Sequence, residues 1–426
     1  MDDAYRLLYK CMLLCRVSVF DVGIMSTSKP KRHLSNTIPS WLILMGLLTA
    51  LGPLAVDMYL PAFPQIAVDL ATSEGRVERT LASYLFGMAL AQLFYGPIAD
   101  RFGRKPPLVF GVLLFSIASV AVAFSQDIEH LTLWRIVQAF GGASGAVIPR
   151  AVIRDHLETR DAAKALSMIM LIMGATPILA PIIGGQVLLF ADWRFLFHIM
   201  TLCGVALLIS TLFTMKESLD KAHTIPLRPG LIAKNYKELL KHRGFLFYSL
   251  TAAFGSAGMF AYISGAPRVF ISAFAVPTTW FGVLFGLNAF CLIAASQIGA
   301  RLLKYYLPHR ILAVAQTIQF STVMIGLVCT LLGIINVFGV MAILMVFMAC
   351  QGFINPNAAA LALSAQGHRL GVASALMGTL QMLCGALAGL AVSSWHTISA
   401  VPLVVVLSAC VTISWFSGRK ALKEMA

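Results

Sequence analysis

The sequence predicts an all-helical integral membrane protein. Of its 426 residues, 59% are hydrophobic and only 12% are charged, and the mean hydropathy is +0.83. Soluble domains carry about 25% charged residues, so the composition argues against a soluble enzyme. Apolar runs of about 20 residues, the length that crosses a bilayer as a helix, recur along the chain. A membrane β-barrel would show short alternating segments instead, so the fold class is all-α.

The apolar runs, separated by polar, glycine and proline residues, predict twelve spans in two groups of six. A polar connector rich in Lys and Arg separates the groups. The expected spans are 39–63, 77–99, 106–125, 131–154, 163–189 and 192–214 in the first half, and 245–267, 278–303, 309–334, 337–363, 371–395 and 397–417 in the second.

These spans define the expected domain organisation. Residues 1–24 do not form a signal peptide, because Arg16 interrupts the apolar patch and no small-residue cleavage site follows. We expect either that translation starts at Met25 or that residues 1–24 are disordered. The expected segments are a cytoplasmic tail at 1–38, a six-helix half at 39–214, a cytoplasmic connector at 215–244, a second half at 245–417 and a cytoplasmic tail at 418–426.

The basic residues predict the orientation of the chain. The net charge of +14 would suggest nucleic acid as the partner of a soluble protein. In a membrane protein the positive-inside rule explains it better, and we expect no nucleic-acid partner. With a cytoplasmic N-terminus, 27 of the 32 Lys and Arg lie in cytoplasmic tails, loops and span ends. Arg135 falls inside a span, and the four on the opposite side are Arg76, Arg79, Arg194 and Arg268.

The first span contains a carboxylate, Asp57, in the run LGPLAVDMYLPAFPQIAVDL at 51–70. An ionised Asp costs on the order of 2.5–3.5 kcal/mol near the centre of an inserting helix. Asp57 alone among the acids falls well within a predicted span, and no Asp or Glu lies between Glu238 and Glu424. We therefore expect Asp57 to have a function, with a helix-end cap or a static ion pair as the alternatives.

The loop after the second span is GPIADRFGRKP, at 96–106. Its glycines allow tight turns and close helix approach, and Asp100 can cap a helix or pair with a base. Arg101 and Arg104 favour the cytoplasmic side. Asp155, at the end of the fourth span, is a candidate partner for this loop.

The fourth span contains RIVQAFGGASGA, at 135–146. Arg135 and Gln138 share one helix face with Gly142 and Gly145, which combines a cation and an amide with sites of close helix approach. Arg135 is the one base inside a span and away from its cytoplasmic end. Burial favours a neutral carboxyl and a nearby cation favours a charged one, so Arg135 could make Asp57 switchable.

The fifth span contains GATPILAPIIGG, at 174–185. Its small and kinking residues predict a bent helix that packs closely against its neighbours. These residues are Gly174, Pro177, Pro181, Gly184 and Gly185.

The loop motif resembles the major facilitator superfamily signature G-x-L-A-D-R-x-G-R-K, with Ile98 in place of Leu, and it lies between spans two and three as in that family. The fourth-span motif resembles R-x-x-Q-G, with Ala139 in place of Gly. The fifth-span motif resembles the antiporter motif G-x-x-x-G-P-x-x-G-G, with Thr176 and Ala180 at the two leading glycines.

Two further segments resemble a subgroup of that superfamily. DMYLPAFP, at 57–64, is similar to the D-x-Y-L-P-x-x-P signature of the twelve-span drug:proton antiporters, in particular the Bcr/CflA drug-resistance group. GAPRVFI, at 265–271, fits that group as well.

This resemblance implies a proton-coupled efflux antiporter in a bacterial inner membrane. It would export small amphipathic drugs, including bicyclomycin-like or chloramphenicol-like compounds, by alternating access of two six-helix halves. Asp57 would carry the proton and Arg135 would tune it. Arg104 would pair with Asp155, and Asp100 with a neighbouring helix end, as a latch of the outward-open state that also includes Arg101.

The expected partners are a small-molecule drug, protons and the lipid bilayer. We expect a monomer with no cofactor, no metal and no enzymatic activity; no G-x-x-x-x-G-K-[ST] loop for ATP is present. A carrier of a polar metabolite such as an amino acid is the main alternative, and a membrane enzyme or sensor a lesser one. Aromatic and amide residues in spans are the candidate cavity residues: Tyr59, Tyr84, Gln138, Phe254, Asn288 and Asn355.

Overall fold

The computed structural model describes residues 39–219, 229–364, 366, 370–395 and 397–424. The expectations for the N-terminal tail at 1–38 lie outside these residues. In the described part the α-helices are α1 (Ser40–Asp57), α2 (Phe63–Asp69), α3 (Glu74–Phe102), α4 (Lys105–Ala123), α5 (Ile128–His156), α6 (Thr159–Val187), α7 (Trp193–Thr214), α8 (Pro229–Lys241), α9 (Arg243–Pro267), α10 (Thr278–Leu302), α11 (Pro308–Leu331), α12 (Val337–Leu363), α13 (Leu370–Ser393) and α14 (Val401–Lys423).

The twelve predicted spans are confirmed. Twelve helical segments of the described chain are long and apolar enough to cross a membrane, with α1 and α2 together making the first, Ser40–Asp69. The helices are longer than expected at several ends, since apolar length sets only the part within the hydrocarbon. α5 runs over Ile128–His156, and α14 continues to Lys423, so most of the expected tail at 418–426 is helical.

The helices pack into two groups of six. α1, α3, α4, α5, α6 and α7 contact one another in the first half, and α9 to α14 do so in the second. The most extensive contacts between the halves are α3 against α13 and α6 against α10. We call the end of the bundle with the loops 103–104, 157–158 and 303–307 the connector end, because α7 leaves it toward α8, and the other end the distal end.

Glycines allow α6 and α10 to approach at backbone distance. A Cβ on Gly185 would lie 2.9 Å from the carbonyl oxygen of Thr278, and one on Gly282 would lie 2.8 Å from the Cα of Ile182. The Pro177 and Pro181 kink positions lie inside α6. The small residues of the fifth-span motif therefore lie at the contact between the halves, where close packing demands them.

Candidate proton and substrate site

The first span breaks immediately after Asp57. α1 ends at that residue, a short 3-10 turn covers Leu60–Ala62, and α2 starts at Phe63. Pro61 and Pro64 lie in the first turns of these two elements, where a residue without an N–H group is tolerated. The break places Asp57 at residue 18 of the 30 in the span Ser40–Asp69, closer to the middle than the sequence limits of 39–63 implied.

Asp57 is a buried carboxylate with no hydrogen-bond or ion-pair partner among the described residues. Its residue is 3% exposed, and its Oδ1 atom accepts no hydrogen bond from the described residues. The turn that follows it contacts α9 and α10 of the second half. An unpaired buried carboxylate is costly when charged, so this position favours a group that binds a proton or a polar ligand.

Arg135 lies fully buried between two tyrosine rings. The centre of its guanidinium is 4.2 Å from the ring centroid of Tyr59 and 4.3 Å from that of Tyr84, and the Phe197 ring lies 5.8 Å away. Cation–π contacts of this kind contribute about 2 kcal/mol when desolvated. They hold a charge in the bundle that has no carboxylate partner among the described residues.

The polar atoms of Arg135 are only partly satisfied. Its Nη1 donates to Gln138 Oε1 at 2.5 Å, and Gln138 Nε2 in turn donates to Ser119 at 2.7 Å. The Nε and Nη2 atoms of Arg135 and the hydroxyl of Tyr84 have no hydrogen-bond partner in the described chain. These buried, unpaired donors are suited to an acceptor group on a ligand.

The structure does not join Asp57 to Arg135. No ion pair between them is present within 4.0 Å in the described residues, so the static ion-pair alternative does not hold for this conformation. Their roles in proton coupling stay predictions.

The fifth-span motif packs against the break in the first span. A Cβ on Gly184 would lie 2.1 Å from the backbone oxygen of Met58, the residue after Asp57. Gly174 faces Ile293 of α10, with 3.1 Å between a Cβ there and Ile293 Cδ1. α6 therefore contacts both the segment that carries Asp57 and the opposite half. Neither the fifth-span motif nor DMYLPAFP predicts these contacts by itself.

The second half supplies amides to the interior. Asn288 donates to Tyr262 at 3.1 Å, and its Oδ1 atom has no partner among the described residues. Asn355 donates to Ser256 at 3.2 Å, while Phe254 is half-buried against the apolar core. These predicted cavity residues line the interior, but they do not contact the Arg135 cluster through a described hydrogen bond.

At the connector end, Arg104 is the centre of a charged cluster. It lies 2.9 Å from Asp155 and 2.5 Å from Asp100. Glu217 accepts the backbone N–H groups of Arg104 and Lys105 at 2.8 and 3.0 Å. Asp100 thus pairs with Arg104, the residue at the N-cap of α4. The role of this cluster as a latch stays a prediction. Arg101 is exposed.

The glycines of this loop differ from the expectation. Gly103 has a φ of 96° and ends α3, as a tight turn requires. Gly96 lies inside α3, so the expected turn there is wrong, and a Cβ on it would meet no atom within 4 Å.

Sequence reasoning missed a second buried ionic site. Glu78 is fully buried in α3 and pairs at 2.8 Å with Arg268, which follows α9 and is 5% exposed. The sequence analysis placed Arg268 on the side opposite the connector and did not single out Glu78, which lies close to an outer loop. The position of Glu78 inside the predicted span 77–99 was a signal for its burial, but nothing in the sequence connects it to Arg268 in GAPRVFI.

The fold and this buried site define a membrane carrier, and comparison with known proteins agrees. The sequence model of the Major Facilitator Superfamily matches residues 45–389. The chain belongs to the Major Facilitator Superfamily, which makes it a transporter.

Similar proteins are found among bacteria. The chain is 36% identical over 370 residues to the "Uncharacterized MFS-type transporter YdgK" of Bacillus subtilis (strain 168), which covers 85% of this chain and 90% of that protein. It is 34% identical to a "Bicyclomycin resistance protein homolog" of Haemophilus influenzae, over 88% and 94% of the two chains. It is 30% identical to a "Multidrug resistance protein MdtL" of Klebsiella pneumoniae (strain 342), over 86% and 92%.

Solved structures share the fold. A D-xylose-proton symporter matches with a TM-score of 0.69 at 13% identity, covering 88% of this chain and 97% of its own. A bacterial homologue of the human lysosomal transporter Spinster, in an inward-facing and unoccupied conformation, matches with a TM-score of 0.68 at 14% identity, over 90% and 97%. At these identities the likeness concerns the fold.

Proposed function

We propose that the protein is a proton-coupled antiporter that exports small amphipathic drugs. The observation that carries this proposal is the unpaired, buried carboxylate of Asp57 at the break in the first span. Relatives named for bicyclomycin resistance and multidrug resistance support a drug as the cargo.

The proton and the drug compete for the same region in this proposal. Asp57 binds a proton when the site is open to the outside, and its neutral form tolerates the apolar interior. Arg135, held by the rings of Tyr59 and Tyr84, offers to an acceptor on the drug its Nε and Nη2 atoms, which have no partner among the described residues. Proton entry through Asp57 then drives the return of the carrier after the drug has left.

The setting is the bacterial inner membrane. The connector end of the bundle faces the cytoplasm, and both termini lie on that side. The 27-to-4 distribution of Lys and Arg supports this orientation. The carrier acts as a monomer, with the two halves, at 39–214 and 245–417, rocking about the site between them.

The cluster around Arg104 biases this motion in the same proposal. Its pairs with Asp100 and Asp155 involve partly exposed carboxylates, with side chains 41% and 22% exposed. Solvent at the two carboxylates weakens each pair, but the Arg104 side chain is only 9% exposed, so the cluster can shift a conformational equilibrium.

Transport by purified protein in liposomes tests the function. With a pH gradient imposed, bicyclomycin, chloramphenicol and an amino acid are offered, and proton movement is followed with an internal dye. We expect uphill transport of at least one of the two drugs with proton counterflow, and loss of uphill transport in Asp57→Asn. Stimulation of proton movement by the amino acid alone would favour the polar-metabolite alternative.

A matched control is Asp69→Asn. Asp69 ends the same span and pairs with Arg194, but it is 43% exposed. We expect this variant to transport at close to the wild-type rate. Uphill transport by Asp57→Asn would contradict the assignment.

A further inference from the structure

A charged contact joins the two halves at the distal end. Glu78 belongs to α3 of the first half, and Arg268 follows α9 of the second. Their side chains are 0% and 6% exposed, with 2.8 Å between Arg268 Nε and Glu78 Oε1. In an ion pair buried to this degree each charge depends on the other, because removing one of them leaves the other uncompensated.

One neighbouring contact also crosses between the halves: Ser272 donates to the Glu74 carboxylate at 2.8 Å. Within the second half, Arg268 Nη1 donates to the carbonyl oxygen of Trp395, which fixes the guanidinium in place. Gly75 permits the closest approach, because a Cβ on it would lie 2.7 Å from the carbonyl oxygen of Ser393 and 2.8 Å from Arg268 Nη2. The pair therefore lies where α3 meets α13 and the turn after α9.

We propose that Glu78 and Arg268 form a distal latch, an ion pair that holds the two halves together at the distal end and must separate each time that end opens. This proposal rests on the proposed function, since a carrier that alternates its access has to part these contacts. The Arg104 cluster at the connector end differs in kind, because its described partners all lie in the first half or at the start of the connector.

The energetic argument sets the direction of the effect. Both charges are desolvated in the closed arrangement, and the pair exists only there. Removing one partner leaves a buried, unpaired charge and disfavours the closed arrangement, by at least about tenfold in the equilibrium between closed and open. Removing both charges leaves no orphan, so the double variant should shift the equilibrium less than the two single effects combined.

Distance measurement across the distal end tests the latch. Spin labels are placed at Val68 and Ile398, which are 82% and 63% exposed and belong to the first and second halves. The full chain is used in lipid nanodiscs, in a background where its eight cysteines are replaced. We expect mainly short distances in the parent, at least about tenfold more of the long-distance population in Glu78→Gln and in Arg268→Gln, and partial recovery in Glu78→Asp.

Asp69→Asn is the matched control, because it breaks an ion pair at the same end that lies within the first half. It should leave the distances unchanged. If the two Gln variants do not fold, Gly75→Ala replaces them as the test of the latch. This variant keeps both charges, but its methyl group crowds Ser393 and Arg268. We expect it to enlarge the long-distance population as well.

Unchanged distances in the folded Gln variants, or strictly additive effects in the double variant, would overturn the latch. The measurement needs neither drug nor proton gradient. If the Gln variants shift the distances but the wild-type protein shows no proton-coupled transport, the latch is retained and the proposed function is rejected. If the distances do not shift but transport is proton-coupled, the latch is rejected and the proposed function is retained.

Discussion

Arg135 shows how single residues make a charge tolerable inside this bundle. Two tyrosine rings lie against its guanidinium, and one amide oxygen accepts one of its N–H groups. A planar cation can stack on both rings, whereas an ammonium is a point charge that cannot. The shape of the side chain therefore matters here as well as its charge.

We predict that Arg135→Lys retains the charge but slows drug transport about tenfold or more, because the double ring contact and the Gln138 hydrogen bond are lost. Initial transport rates in liposomes measure this. The matched control is Arg194→Lys: Arg194 lies 4.4 Å from the Trp193 ring, but outside the buried site. A wild-type rate for Arg135→Lys would contradict the argument.

A second prediction concerns Gly184. In Gly184→Ala the added methyl group would lie 2.1 Å from the backbone oxygen of Met58, so α6 or the break after Asp57 must move. Overpacking of this kind costs about 1–3 kcal/mol, and we expect a lower unfolding temperature in detergent.

Gly96→Ala is the control for that experiment. It also places a methyl group on a helical glycine, but no atom lies within 4 Å. We expect an unchanged or slightly higher unfolding temperature, because Ala is the better helix former. Equal losses in the two variants would contradict the role of the Met58 contact, because Gly96→Ala creates no such contact.

Single residues were only partly predictable. Asp57 stood out because an acid in an apolar run has few neutral explanations, and its burial agrees. Glu78 did not stand out, because it follows Glu74 and Arg76 at a span end, where charged residues usually face water or headgroups. Its burial depends on Arg268, which is 190 positions later in the chain, and sequence patterning gives no information on that pairing.

At the scale of elements, the connector begins as part of the first half. Glu217 accepts N–H groups from the start of α4, and Ser218 donates to Asp155 at 3.1 Å. Burial raises the pKa of the Glu217 carboxyl, but the N–H groups of Arg104, Leu219 and Lys105 together hold that pKa below its ordinary value of 4.5. The ionised form therefore contributes to stability.

The sign of this shift gives a pH dependence. A lowered pKa means that the contribution of Glu217 is complete above pH 4.5 and is lost as the pH falls through the folded-state pKa below it. We predict that Glu217→Gln lowers the unfolding temperature at pH 7, and that the difference from wild type shrinks below pH 4.5. Thermal unfolding in detergent at a series of pH values measures this.

Glu129→Gln serves as its control, because Glu129 forms an ion pair with Arg76 in which both side chains are more than half exposed. Such a pair contributes little, so we expect nearly the same unfolding temperature as wild type at every pH. A Glu217→Gln difference that is independent of pH would contradict the electrostatic explanation.

The elements themselves were largely predictable. A run of about 20 apolar residues is the length that crosses the hydrocarbon core as a helix. The number and order of the membrane-spanning helices therefore followed from hydropathy. Pro61 and Pro64 are residues typical of a helix break, and they follow Asp57 closely. The position of Asp57 within the span was not predictable, because α2 extends the span to Asp69 through residues of mixed polarity.

For the whole molecule, the distribution of Lys and Arg predicts which end of the bundle faces the cytoplasm. We predict that Glu129→Cys, at the distal end, is labelled by a membrane-impermeant maleimide in intact cells with a permeabilised outer membrane. Lys304→Cys, at the connector end, should react only after lysis. Both variants are made in a background without the native cysteines, and the reverse labelling pattern would contradict the assigned topology.

The two-half arrangement was predictable from the six-plus-six pattern around a basic connector. The contacts between the halves were not, because they depend on which face of α3 meets α13 and which face of α6 meets α10. The glycines of the fifth span indicated close packing, although only the structure identifies the partner helix.

The attachment of the connector sets a limit on movement. Glu217 and Ser218 are bonded to the first half, whereas α8 packs against α9 and α13 of the second. Ten peptide units separate Leu219 from Pro229, and a fully extended chain of that length reaches at most about 36 Å. This covalent tether therefore limits how far α8 can move from the attachment point of the connector on the first half, whatever the size of the cargo.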